Sequence, residues 1–206
     1  MSDREQPQIY LITPPEFELS KFADTLSGLL DAFDIACVRL ALSTTDQDTI
    51  SRTADTLREV CHKHDVALVI DTHYKLVEPL GLDGVHLQDS HRTIREARKA
   101  LGPEAIVGVY CGNSRHAGMT AGEIGADYVS FGPVGASALG TGDTVDLETF
   151  EWWSDVIELP VVAEGNIGLE DAERLAPVVD FVALGPEIWK GDDPAASLRT
   201  YIERLS

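Results

Sequence analysis

The chain has 206 residues, enough for one substantial domain and short for two. Its 35 acidic against 16 basic side chains give a formal net charge of -19, which argues against broad binding to nucleic acid or to anionic membranes. An apolar content of 44% supports a packed core. Cys37, Cys61 and Cys111 have neither the spacing of a metal cluster nor the pattern of a small disulfide scaffold, so a reduced interior is the simplest reading. The first eight residues lack a signal-peptide apolar region, and no apolar run is long enough to span a bilayer. These features predict a cytoplasmic protein.

In chain order, Ile9 to Thr13 reads as a first strand ended by Pro14 and Pro15, followed by helical spacing from Leu19 to Leu30. Phe33 to Leu40 is a second strand, with Arg39 near its exit. Thr44 to His64 carries Ile50, Leu57 and Val60 at helical intervals behind a cap at Thr45 or Asp46. Ala67 to Asp71 is a third strand, with a short helix near Tyr74 to Leu80. Gly84 to Leu87 is a fourth, with Asp89 or Ser90 as cap of an arginine-rich helix through Lys99. Ala105 to Tyr110 precedes a helix capped by Ser114, and Ala126 to Phe131 precedes a glycine-rich loop from Gly132 to Asp143. Leu147 to Val156 resumes helical spacing with Trp152 and Trp153, read as packing residues. Pro160 to Ala163, a helix over Leu169 to Leu175, Val179 to Leu184 and a last helix over Pro194 to Leu205 complete the chain. Asp83, Asp127 and Asp180 each stand at the start of a short apolar run that ends in polar residues or glycine, a weak but repeated βα grammar.

Eight short strands, each followed by a helix or helical turn, predict a closed (β/α)8 TIM barrel spanning residues 1–206 as a single domain, with an open doubly wound sheet as the alternative. The barrel places Arg39, Asp71, Gln88, Asp89, Cys111, Asn113, Glu164 and Asn166 at strand exits around one opening. Arg39 is suited to two-pronged recognition of phosphate or carboxylate, or to a salt bridge at the rim. Asp71 and Asp89 can each orient a polar ligand or hold magnesium, or cap the following helix. Glu164 can serve as acid, base or acceptor, or face solvent at the rim. His86 lies within its strand and points either into the barrel or towards the helices. Cys111 has no base at a recognisable spacing and reads as a small buried residue. Backbone amides near Gly165 and Gly185 can cradle a phosphate without basic side chains, or simply form two tight turns.

Ile9-Tyr10-Leu11-Ile12-Thr13, Leu82-Asp83-Gly84-Val85-His86-Leu87 and the run from Gly125 to Val134 together resemble the thiamine phosphate synthase and thiazole tautomerase superfamily over nearly the whole chain. The resemblance implies a compact TIM barrel. It also implies a condensation of hydroxymethylpyrimidine pyrophosphate with thiazole phosphate that releases pyrophosphate with the help of Mg2+. Arg39 resembles the arginine of the family's Gln-x-Arg-x-Lys motif, with Cys37 and Ala41 at the glutamine and lysine positions. Asp71, Thr72 and His73 stand at the Asn-Asp-Arg segment, and Gln88-Asp89 resembles the Gly-Gln-x-Asp exit. Ser137, Leu139 and Gly140 take the places of the Thr-x-Thr-Lys loop, and Pro133 that of the tautomerase histidine. The resulting expectation is a divergent member. Arg39, Asp71 and Glu164 form its catalytic set, Asp89 is a ligand of Mg2+, and His86, Gln88, Asn113, Gly165, Asn166 and Gly185 bind substrate. The depleted clamp predicts weak turnover, and a non-catalytic binding protein for a thiazole, pyrimidine or phosphorylated metabolite is the alternative. A homodimer is plausible for so small a barrel, although the sequence marks no interface.

Overall fold

The structure, a computed structural model, describes residues 6–136 and 143–206. Eight parallel strands close into a barrel in sequence order: β1 (Gln8–Ile12), β2 (Ile35–Leu40), β3 (Ala67–Asp71), β4 (Gly84–Leu87), β5 (Ile106–Tyr110), β6 (Tyr128–Phe131), β7 (Val161–Glu164) and β8 (Phe181–Leu184). Closure comes from β8 pairing with β1, where Ile9 faces Val182 and Tyr10 faces Ala183. The open-sheet alternative is thereby excluded. The helices are α1 (Leu19–Ala32), α2 (Gln47–Lys63), α3 (Val77–Leu80), α4 (Ile94–Leu101), α5 (Arg115–Ile124), α6 (Leu147–Val156), α7 (Leu169–Leu175), α8 (Pro186–Trp189) and α9 (Pro194–Leu205). None is long and apolar enough to cross a membrane.

The strands are short and apolar on both faces because both faces are buried. Outward residues such as Leu11, Leu68, Val85, Val107 and Phe131 join the helix faces in one continuous core. Inward residues Tyr10, Cys37, Val69, Tyr128, Val162 and Ala183 pack against each other inside the barrel. Helix α2 shows how the covering layer is specified. Ile50, Ala54, Leu57 and Cys61 recur at intervals of three or four and are buried against the sheet, each large side chain contributing about 1.5–3 kcal/mol. Asp46 starts this helix by accepting from the Thr49 amide at 2.9 Å.

The aspartate grammar has a structural cause. The Asp83 carboxylate accepts from the Leu68 amide at 2.7 Å, Asp127 from Val107 at 2.7 Å and Asp180 from Val161 at 2.8 Å. In each case the backbone amide of the same aspartate donates back to the carbonyl of that residue. A carboxylate just before an even-numbered strand thus satisfies the first amides of the strand before it, tying β3 to β4, β5 to β6 and β7 to β8.

Two expectations need correction. Helix α4 begins at Ile94 after Thr93, and neither Asp89 nor Ser90 caps it. Ser90 takes a left-handed φ of 60° in the connecting turn, and Asp89 accepts instead from the Thr93 hydroxyl. The short helix α8 also follows β8 directly, ahead of the last helix expected over Pro194 to Leu205. Ser114 caps α5 as expected, accepting from Ala117 at 3.1 Å. Trp153 is buried and donates to the Leu159 carbonyl, while Trp152 packs against Arg115.

Candidate active site

The polar interior begins with three rings. The Tyr10 and Tyr128 hydroxyls lie 2.7 Å apart, and Tyr128 Oη lies 2.9 Å from His86 Nδ1. His86 therefore points into the barrel. Tyr128 reaches it across β5, and this crossing requires Gly108: a Cβ there would meet Tyr128 Cζ at 1.9 Å. Burial, aided by the nearby Arg39 charge, holds the His86 imidazole well below its ordinary pKa, so it is neutral. Burial likewise raises both tyrosines.

Above the rings sits one buried cation. Arg39 is 5% exposed, and its Nη1 donates to Glu164 Oε2 at 2.7 Å. Its Nε lies 3.3 Å from Asp71 Oδ1, an ionic contact without hydrogen-bond geometry. Its Cζ lies 5.8 Å from the centre of the Tyr10 ring. Burial opposes the guanidinium charge, but Glu164, Tyr10 and Asp71 outweigh it, and Arg39 remains firmly protonated. Asp71 is pushed above the usual carboxylate range by burial, against the pull of Arg39 and of Gln88, whose amide donates to both carboxylate oxygens at 3.2 Å. Thus Arg39, Asp71, Glu164 and Gln88 form one connected cluster. Glu164 ends β7 and is buried, so its solvent-facing reading is wrong. Asp71 caps no helix, and the Arg39 pairing lies inside the barrel mouth rather than on the exposed rim.

The remaining expected residues are more dispersed. Asn113 is exposed beyond β5. Asn166, with a left-handed φ of 57°, donates to the Ala136 carbonyl. Gly165, at φ 90°, accepts from the amides of Val134 and Gly135, so it fastens the β6 exit to the β7 exit. The Gly185 amide already has an anion: Glu187 Oε2 accepts from it at 2.8 Å, while Glu187 Oε1 accepts from the Ile167 amide at 2.9 Å. The Glu187 carboxylate thus bridges the β7 and β8 exits. Cys37 lies inside the barrel with its thiol pushed up to about 12 by burial, and Cys111 is buried in the outer core with the same value and cause. Ser137, Leu139 and Gly140 lie outside the described residues.

Among the described residues no group of three histidine, cysteine or acidic side chains comes together as a metal centre. The chemistry of the donors nevertheless fits a thinly held hard cation. Asp71 and Asp89 offer carboxylates at the exits of adjacent strands, and Mg2+ commonly takes one or two protein carboxylates with the rest from substrate phosphates.

Sequence reasoning missed Tyr10, Tyr128, Tyr110, Ser130 and Glu187. The first four share the inward alternation of Arg39 and Glu164, so reading each strand back from its exit at period two would have found them. Tyr110 donates to the Gly132 carbonyl at 2.7 Å, and Ser130 Oγ is buried without a hydrogen-bond partner among the described residues.

The family model described as thiamine monophosphate synthase matches residues 9–188. A protein named thiamine-phosphate synthase from Rhodospirillum centenum is 41% identical over 199 residues, covering 94% of this chain and 95% of that protein. Another of the same name from Erythrobacter litoralis is 38% identical, covering 100% and 99%. The solved thiamine phosphate pyrophosphorylase from Pyrococcus furiosus superposes with a TM-score of 0.83 over 97% of this chain and 96% of that one, at 20% identity, a likeness of fold. The chain belongs to the thiamine monophosphate synthase family.

Proposed function

We propose that the protein condenses hydroxymethylpyrimidine pyrophosphate with thiazole phosphate to give thiamine phosphate and pyrophosphate. The observation that carries this reading is the 41% identity, over nearly the full length of both chains, to a relative named thiamine-phosphate synthase. The chain acts as a single barrel domain in the cytoplasm, on small phosphorylated substrates.

The chemistry asks for charge control more than proton transfer. The thiazole nitrogen attacks the pyrimidine methylene carbon, the carbon–oxygen bond breaks, and its electron pair leaves with pyrophosphate. Arg39, the only buried cation among the described residues, supplies the guanidinium that meets the leaving anion. In the free protein Glu164 and Asp71 compensate its charge, and substrate phosphate oxygens take over part of that role. Glu164 then offsets the positive charge that develops on the methylene as the bond opens. Asp71 and Asp89 would hold Mg2+, which when bound neutralises charge on the departing phosphates. Gln88 keeps the Asp71 carboxylate oriented. At the β7 and β8 exits, the phosphate of the thiazole displaces the Glu187 carboxylate from the Ile167 and Gly185 amides.

The test is an assay with both substrates and Mg2+ that follows both products. Thiamine phosphate and pyrophosphate are expected in equal amounts, more slowly than from a synthase carrying the lysine and aspartate that Ala41 and Thr72 replace. Specific binding of thiazole phosphate without any product would instead identify a binding protein.

A further inference from the structure

Inward positions alternate along each strand, so the residues two places before Tyr10, Val69, His86, Gly108 and Ala183 form the lowest layer inside the barrel, at the end opposite the ion cluster. That layer is thinly filled. Strand β3 supplies only Ala67, and β4 supplies Gly84, where a Cβ would meet the Ile106 carbonyl oxygen at 2.0 Å. Of the layer's own side chains only Ile106 and Phe181 are large and apolar. The result is a cavity of about 250 Å3 at the N-terminal mouth, in a fold whose interior is ordinarily packed with side chains. Ala36, Ala67, Ile106 and Phe181 are left half-buried along its walls. Tyr10 and Tyr128 border it on the side of the ion cluster, and their hydroxyls are already committed to each other and to His86. No charged residue lines it, and Gln8, exposed at the rim, carries its one amide side chain.

We propose that this cavity is a binding site for a small, neutral, flat aromatic molecule of two fused rings, entering from the N-terminal mouth. Size sets the upper bound: an apolar cavity of about 150 Å3 holds benzene, and this one is larger by roughly one ring. Neutrality follows from the walls, which offer no counter-charge and would leave a buried ion unpaired. Flatness follows from the rings of Tyr10, Tyr128 and Phe181, which favour offset and edge-to-face contacts. The assignment is independent of the condensation reading, because the tyrosine pair separates this cavity from the ion cluster.

Titration of the full chain with indole, followed by methyl spectra of protein labelled at alanine and isoleucine, tests the site. Saturable shifts are expected at Ala36, Ala67 and Ile106, with a Kd of about 1 mM or lower. Ala67→Leu fills the lowest layer and should weaken binding ten-fold or more. Ile106→Phe fills it from β5 and should do the same, so the test survives if one variant fails to fold. Indole-3-carboxylate, the same rings with an anionic group, should produce no saturable shift at these methyls. Shifts that rise without saturating, shifts centred on the strand exits instead, undiminished binding in a folded filling variant, or equal binding of the carboxylate would each overturn the proposal.

Discussion

His86 and Arg39 are buried titratable groups of opposite design, and each gives a measurable signature. The proton affinity of His86 is depressed by burial, so below its ordinary value of about 6.5 the unfolded chain binds a proton that the native chain refuses. Its contribution to stability is intact above that pH. It is lost as pH falls towards the folded value, at about 1.4 kcal/mol per pH unit. Denaturant titrations across this range should show a shallower acid loss in His86→Gln than in the wild type, and parallel slopes would contradict the neutral, buried reading. Arg39 keeps its charge because Glu164 sits 2.7 Å away. Glu164→Gln leaves that charge with Asp71 alone and should destabilise the fold by about 3 kcal/mol. The double replacement Arg39→Met with Glu164→Leu should cost less than the sum of the two single changes. Additive losses in a double-mutant cycle would mean that the pair is not coupled.

At the scale of elements, the strands were legible because parallel strands buried on both faces leave short apolar runs between turn residues, and the repeated aspartates marked three strand starts. Asp83, Asp127 and Asp180 then prove to be ties between neighbouring strands. Replacing any one by asparagine should cost about 1–2 kcal/mol, read as a shift in denaturation midpoint without a change in slope. Asp89 and Ser90 show where such reading fails. Both are good cap types, but the turn after β4 spends Asp89 on Thr93 and twists Ser90 into a left-handed conformation before the helix begins. Glu187 was invisible for a related reason: it looks like an ordinary acid in a first helical turn, and only the approach of two exits makes it a bridge. Because the proposed phosphate site displaces it, Glu187→Gln should tighten thiazole phosphate binding in calorimetric titration, and weaker binding would show that it only braces the β7 and β8 exits.

Over the whole molecule, closure of the barrel was foreseeable from the count and spacing of strands, whereas the site depends on who meets whom across the opening. Arg39 and Glu164 are 125 residues apart and become partners only when β2 and β7 face each other inside a closed sheet. The same closure gathers one cation and two carboxylates in a protein of net charge -19, a setting in which a diphosphate leaving group depends heavily on that single guanidinium. The most direct measurement is therefore the single-turnover rate of condensation in Arg39→Ala beside the wild type, with both substrates and Mg2+ saturating. Loss of a preorganised charge contact worth roughly 3 kcal/mol predicts a fall of about a hundred-fold or more in the wild-type rate, with thiamine phosphate and pyrophosphate still appearing together. A variant that folds and condenses at the wild-type rate would contradict the account.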